Sequence, residues 1–464
     1  MAGQQILAEE RTHSPETIDW TLRDAALSAQ LRVLGENDPD FWSFRSNAVR
    51  QHAHAFFQYP AMMVPQMQER LLAEFTAIDP SIKKVYDPFV GSGTVLTETM
   101  LRGLDFHGCD INPLAILLAR VKAGPFYVTA LRDRWREIEA EIRADKCSKV
   151  ESSFFGLCKW FTGEVAICLS RIVRSIRRDK DLWSRRFFWV ALAETVRITS
   201  NSRTSTFKLH LRPSKELEER SVDPISVFRK VVDRNLVRTE RNAELLRNAG
   251  SLRSGHYTGN ITLKLAHAAD DAKSIEADNR ADLLVTSPPY GDNVSTVPYG
   301  QHSFLPLRWI DLDDISHELD QKLVANTHSL DTRSLGGSRK NALEGVQPAC
   351  EMSPSLLRTL KLLAFEPRDR RLRVAAFWRD LDRCLTPIID ALRANAYMVW
   401  VVGNRRVGDR VVPMHEILAE LVTARGGVPV AILERHIHSK RMALRNGIAK
   451  TMSRETILVM RKGA

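Results

Sequence analysis

The sequence predicts an α/β protein, a mostly parallel sheet carrying a helical insertion, and three observations lead there. First, the apolar runs Lys84-Val85-Tyr86 and FHGCD each pass through a polar or glycine-rich turn into a helical pattern, the β-turn-α alternation of a parallel sheet. Second, the runs ITLKLAHAADDA and ADLLVTSPPYG read as strands buried on both faces that end in polar loops. Third, from about 126 to 255 the pattern is helical, basic and strand-poor, which marks an insertion between those two pairs of strands.

In chain order, residues 1 to about 50 are polar with scattered tryptophans (Trp20, Trp42), and SAQLRVLGENDPDFW reads as a short helix followed by a turn. Residues 51–125 form the first part of the core. Tyr59-Pro60 and Pro65 open it with a turn before an amphipathic helix, β-turn-α follows, and Pro113 starts the next helix. The insertion occupies 126–255, with helical segments such as LRDRWREIEAEIRADK and FFWVALAETVRI. Residues 256–464 form the second part of the core. Within it, about 311–366 is polar and poorly periodic and predicts a mobile loop or a second insertion. A helix (VAAFWRDLDRCLTPIIDALRA), a strand (YMVWVVGN), a helix (HEILAELVTARG) and a terminal hairpin (VAILERHI, ETILVMRK) complete the sheet. No internal repeat is visible.

The 464 residues carry a formal charge of +11 and a pI near 9.4, which suits a polyanionic partner better than a small-molecule substrate. The excess is regional. Between Leu131 and Arg253 there are 27 Lys and Arg against 17 Asp and Glu, nearly the whole imbalance. The six cysteines contain no C-x-x-C pair, so neither a zinc site nor a disulfide framework is indicated, and no metal is expected. The N-terminus has no apolar signal core and no run approaches about 18 apolar residues, which predicts a cytoplasmic protein with no membrane partner.

Two segments carry chemistry. Asp87-Pro88-Phe89-Val90-Gly91-Ser92-Gly93-Thr94 joins a strand to a helix, where parallel sheets bind ligands. Its small residues let backbone approach a ligand closely, and the following helix N-terminus favours a carboxylate. Asp110, at the end of the next strand, can accept hydrogen bonds from ribose hydroxyls. Thr286-Ser287-Pro288-Pro289-Tyr290-Gly291 closes another strand. There two prolines hold the loop extended and remove two backbone donors, leaving carbonyls and the Ser287 hydroxyl as acceptors. An exocyclic amine is a poor nucleophile because its lone pair is conjugated into the ring. Acceptors aimed at its two N–H groups draw the nitrogen toward sp³ geometry, and the Tyr290 ring can stack on a base turned out of the duplex.

These two segments resemble motifs I and IV of the S-adenosylmethionine-dependent amino-methylating DNA methyltransferases. The resemblance implies a Rossmann-like, seven-stranded, mostly parallel methyltransferase sheet with a helical insertion. It implies S-adenosyl-L-methionine bound by the turn residues Asp87, Pro88, Phe89, Gly91, Ser92, Gly93 and Thr94, with Asp110 and Asn112 beyond the second strand. Ser287, Pro288, Pro289 and Tyr290 would hold the target amine. His54 to Pro65 is similar to the family's N-terminal cofactor segment, aligning Tyr59 and Pro60, and Ala268 to Ala272 is similar to its third motif, where Asp271 or Asp270 would meet the adenine ring. The tail from Glu434 resembles the family's closing hairpin. Glu194 to Arg203, followed by Phe207-Lys208-Leu209, is similar to a stretch found in a subset of these methylases. Arg197, Arg203 and Lys208 are therefore candidates for contacting phosphates or reading guanine edges. The plain alternative is helix-surface charge packed on the core.

The layout departs from the family's usual ones because about 130 residues separate the second strand from the third. Both 126–255 and 311–366 are candidate target-recognition regions, and charge favours the first. In the family, Ser at the first position of the tetrapeptide is commoner among cytosine-N4 enzymes and Asp or Asn among adenine-N6 enzymes, so Ser287 points to cytosine. Cytosine-C5 chemistry needs a Pro-Cys nucleophile, which does not occur. The implied partners are double-stranded DNA and a cognate restriction or defence-system protein. Competing readings are an adenine-N6 enzyme, an RNA guanine-N2 methyltransferase and a catalytically silent DNA-binding subunit. A dehydrogenase or NTPase lacks its G-x-G-x-x-G or G-x-x-x-x-G-K-S/T here.

Overall fold

A computed structural model describes residues 19–38, 40–44, 51–293, 295–437 and 453–464. Seven strands form the central sheet: β1 (Lys84–Asp87), β2 (Asp105–Asp110), β3 (Ile261–Leu265), β4 (Ala281–Thr286), β5 (Leu392–Val402), β6 (Gly427–His436) and β7 (Arg454–Lys462). Their order across the sheet is β6-β7-β5-β4-β1-β2-β3. β7 alone runs against its neighbours, pairing antiparallel with β5 and β6, and the other adjacent pairs are parallel. This is the α/β, mostly parallel sheet that the alternation predicts, in the Rossmann-like, seven-stranded form that the resemblance implies. From β1 the chain moves outward to β2 and β3, then returns to β4 on the other side of β1. The crevice at that reversal, above the ends of β1 and β4, is where such sheets place ligands.

Helices cover both faces: α1 (Trp20–Asn37), α2 (Pro65–Ile78), α3 (Thr94–Leu101) and α4 (Pro113–Ala123), then α5 (Val128–Ala144), α6 (Gly163–Arg178), α7 (Leu182–Thr199) and α8 (Pro224–Asn248) in the insertion, and α9 (Tyr299–Leu307), α10 (Arg368–Asp390) and α11 (Met414–Thr423) beyond β4. α1 is longer than the short helix expected. Asp19 caps it by accepting from the Thr21 and Leu22 amides, and Asp24 ties it to the sheet through Arg461 on β7 and the Tyr397 hydroxyl on β5. Residues 1–18 and 438–452 of the predicted entry segment and closing hairpin lie outside the described residues.

Most of residues 128–248 is helical. On α6, Val165, Leu169, Ile172, Val173 and Ile176 recur at helical spacing and are buried, while Arg171, Arg174, Arg177 and Arg178 lie on other faces. α7 is buried over Phe187–Val196 and forms the centre of the insertion, packing on α4, α8 and α9. The basic surplus therefore sits outside an apolar helical core. No helix among the described residues is long and apolar enough to cross a membrane.

The stretch 311–366 is not a mobile loop. It folds into short helices, among them Ser329–Arg333, Gln347–Met352 and Pro354–Leu362, with Leu330, Leu335, Val346 and Leu356 buried. Each helix is one to three turns, too short for a 3.6-residue apolar period to show in the sequence.

Gly108 in β2 lies directly beneath the turn after β1. A Cβ there would stand 2.5 Å from Val90 Cγ2 and 2.8 Å from the Asp87 carbonyl oxygen. Gly108→Ala is expected to lower unfolding stability by about 1–3 kcal/mol, the cost of overpacking a filled site. A urea-unfolding midpoint unchanged from wild type would show that the turn can shift to make room.

Candidate active site

β1 ends at Asp87, whose Oδ1 accepts from the Phe89 amide (3.0 Å) and the Thr286 hydroxyl at the end of β4 (2.7 Å). The chain then turns through Gly91 and Gly93, both left-handed, at φ 49° and 70°. Asp110, at the end of β2, grips this turn: its Oδ2 accepts from the Gly91 amide (2.8 Å) and its Oδ1 from the Asn112 amide (2.8 Å). Lys122, buried on α4, donates to the Ser92 carbonyl at 2.6 Å. The turn is thus held by β2, β4 and α4 at once. Burial pushes the Asp87 carboxyl up to about 7 and that of Asp110 to about 6.

Above the turn is a cleft of about 850 Å³. Pro88, Phe89, Gly91, Ser92, Thr94, Asp110 and Asn112 line it, as do Tyr59 and Pro60 from the segment before α2. Tyr59 is buried, accepts from Asn112 Nδ2 (2.9 Å) and packs its ring 5.8 Å from Tyr299. Asn112 Nδ2 also donates to the Ser303 hydroxyl at 2.8 Å, and its Oδ1 caps α4 through the Leu114 amide. Asn112 therefore braces the wall.

The loop after β4 forms the opposite wall. Ser287 and Pro289 line the cleft, whereas Pro288 and Tyr290 do not. The Tyr290 hydroxyl lies 3.2 Å from Ser287 Oγ and 3.1 Å from Glu455 Oε1 on β7. Burial, with the Glu455 carboxylate beside it, pushes the phenol well above its ordinary range, so it keeps its proton. Past the tetrapeptide, Asp292 is buried and paired with Arg405 (3.2 Å) and Arg373 (3.3 Å). Asn293 Nδ2 and the Gly300 amide both donate to Asp331 Oδ1. The 311–366 stretch thus helps clamp this loop.

Asp271 does not reach the cleft. Ala268–Lys273 coils into a helical turn and carries Asp271 under the sheet, where it accepts from the Tyr86 hydroxyl (3.2 Å) and meets His107 Nε2 (3.0 Å). Against the cost of burial, His107 holds this carboxyl below the usual carboxylate range. The wall at this point is Ala266, His267 and Ala268, and the alternative, Asp270, is exposed. Arg197 is also committed elsewhere, to Glu194 one turn away on α7 (2.7 Å). Arg203 and Lys208 are exposed on the loop 201–212. That loop packs on α9: the Leu209 amide donates to Gln301 Oε1 (3.2 Å) and the Phe207 ring lies 5.6 Å from His302. α9 carries Tyr299 into the cleft, so the two exposed cations sit on an element that abuts the site. Asn293, Tyr299, Ser334 and Leu335 also line the cleft without having been foreseen. Only the Asp292-Asn293 pair, one residue beyond the tetrapeptide, offered a signal.

No family model matches the chain. It is 30% identical over 458 residues to the type II methyltransferase M.MvaI of Kocuria varians, an alignment covering 95% of the chain and 97% of that protein. A stretch of 82 residues, 18% of the chain and 15% of the other protein, is 33% identical to the type II methyltransferase M.MjaII of Methanocaldococcus jannaschii.

The buried turn has a pH signature. A carboxyl whose pKa is raised on folding binds its proton more tightly in the folded chain, so stability is lost as pH rises from the unfolded value toward the folded one. For Asp87 that window runs from 3.8 to about 7, with a slope of at most about 1.4 kcal/mol per pH unit. Asp87→Asn is expected to flatten the decline in denaturant-measured stability between about pH 4 and 7. An unchanged slope would show that Asp87 is ionised in the folded protein throughout.

Proposed function

The chain belongs to the type II DNA methyltransferases, whose methyl donor is S-adenosyl-L-methionine, and on that premise we propose that it is a site-specific enzyme methylating N4 of a cytosine turned out of double-stranded DNA. The observation that carries this reading is that one cleft is lined both by Gly91, Ser92 and Thr94 of the turn with Asp110 and by Ser287 and Pro289.

The cleft fits the donor. Gly91 puts no side chain between backbone and ligand, and Asp110, which lines the cleft, has acceptor capacity beyond its bonds to the Gly91 and Asn112 amides for ribose hydroxyls. Met62, Met63, Phe89 and Leu335 supply apolar walls for a ring. When bound, the sulfonium supplies a methyl group on a good leaving group. The chain's own residues do the rest by position and dipole. Ser287 Oγ and the prolyl carbonyls accept from the amine and release its lone pair, and the Tyr290 ring, held by its hydroxyl, stacks on the extruded base. Arg203 and Lys208 contact the phosphates beside it. Ser287 in place of Asp or Asn favours cytosine over adenine. The same reading expects a cognate restriction or defence-system protein as partner and a cytoplasmic location.

Incubation with methyl-labelled S-adenosylmethionine and mixed-sequence duplex DNA, followed by digestion to nucleosides, is expected to give N4-methylcytosine. N6-methyladenine would reassign the base, and label confined to RNA would overturn the DNA reading. Ser287→Ala and Tyr290→Ala are each expected to slow transfer by about 100-fold or more while the protein still binds the donor. A normal rate in Tyr290→Ala would remove the stacking role.

A further inference from the structure

Methyl transfer to an exocyclic amine leaves a proton to be disposed of. Ser287 is too weak a base to keep it, and among the residues lining the cleft next to Ser287 there is no carboxylate on the same loop. The hydrogen bonds behind Ser287 lead to one. Ser287 Oγ lies 3.2 Å from the Tyr290 hydroxyl, which lies 3.1 Å from Glu455 Oε1. Glu455 Oε2 is ion-paired with Arg435, its direct cross-strand partner on β6. The direction of this chain follows from the groups in it. An ionised carboxylate can only accept, so Tyr290 spends its single proton on Glu455. Its oxygen must then accept from Ser287. With its own proton pointed away from the cleft, Ser287 Oγ presents only lone pairs to an amine N–H.

Resting on the function proposed above, we propose that Glu455 is a positioning residue that sets the polarity of the Ser287–Tyr290 pair and receives the amine proton through it. As the nitrogen lone pair forms the N–C bond and sulfur keeps the electrons of the breaking C–S bond, the amine N–H proton passes to Ser287 Oγ. The Ser287 hydroxyl proton passes to Tyr290 Oη, and the Tyr290 proton to the Glu455 carboxylate. Each oxygen gains one proton and gives one up except the last, and Arg435 stays ion-paired with the other oxygen of that carboxylate. The raised phenol pKa agrees with this order, since Tyr290 enters the reaction protonated.

Single-turnover transfer of labelled methyl to duplex DNA, measured in H₂O and D₂O alongside equilibrium binding of donor and DNA, tests the relay. Glu455→Gln is expected to slow transfer by about 10- to 100-fold and to reduce the solvent isotope effect, with both affinities within about twofold of wild type. Glu455→Asp is expected to recover part of the rate. Tyr290→Phe keeps the ring and leaves the Arg435–Glu455 pair intact, so it answers the question even where Glu455→Gln destabilises the sheet. It is expected to lose a similar factor, and the double variant no more than either alone. Glu455→Gln or Tyr290→Phe transferring at the wild-type rate would overturn the relay, and so would a loss traced wholly to weaker binding. If the wild-type protein labels no DNA base, the proposed function fails instead.

Discussion

The bond between the Thr286 hydroxyl and the Asp87 carboxylate joins the ends of β1 and β4, and the site is built outward from it. Those strands flank the point where the chain reverses direction across the sheet, so their loops diverge to opposite sides of one crevice. The β1 loop becomes the glycine turn and the β4 loop the Ser-Pro-Pro-Tyr segment. Without a short contact at their roots, the two walls of the cleft would be set independently. With it, the two loops share an origin.

What surrounds that bond is unusually polar for a core. Asp87, Glu98 and His54 are all buried beneath the turn, His54 Nε2 lies 2.6 Å from Glu98, and Lys122 reaches the Ser92 carbonyl. Burial pushes Glu98 up to about 7, as it does Asp87. Such groups are costly to desolvate, and their hydrogen bonds tie the turn to named partners in a way an apolar filling would not. The stability given up here goes into holding a backbone surface still enough to receive a ligand.

The sheet and both loops were legible because they rest on local grammar: an apolar run, a turn of small residues or prolines, and a helix with its cap. Asp271 was misplaced because an acid after a strand reads the same whether the next residues stay extended or coil, and Ala268–Lys273 coils. Arg197 looked free because its partner Glu194 lies on the same helix face, a spacing that also fits two solvated charges. The 311–366 stretch hid its helices by their brevity. Glu455 was invisible for a different reason. It stands 165 residues from Tyr290 and meets it only because β7 slots in beside β5. A contact made by topology leaves no pattern in the chain.

That same reversed strand sets the order in which the enzyme can come alive. β7 must enter between β5 and β6, two strands already synthesised by the time it leaves the ribosome. A nascent chain holds every residue of the glycine turn long before it holds the strand that restrains Tyr290. Domains tend to fold in the order they are made, yet here the outer pair of strands has to stay open for a late arrival. A copy that stops short of β7 therefore keeps the glycine turn and its cleft but lacks Glu455, the carboxylate that restrains Tyr290.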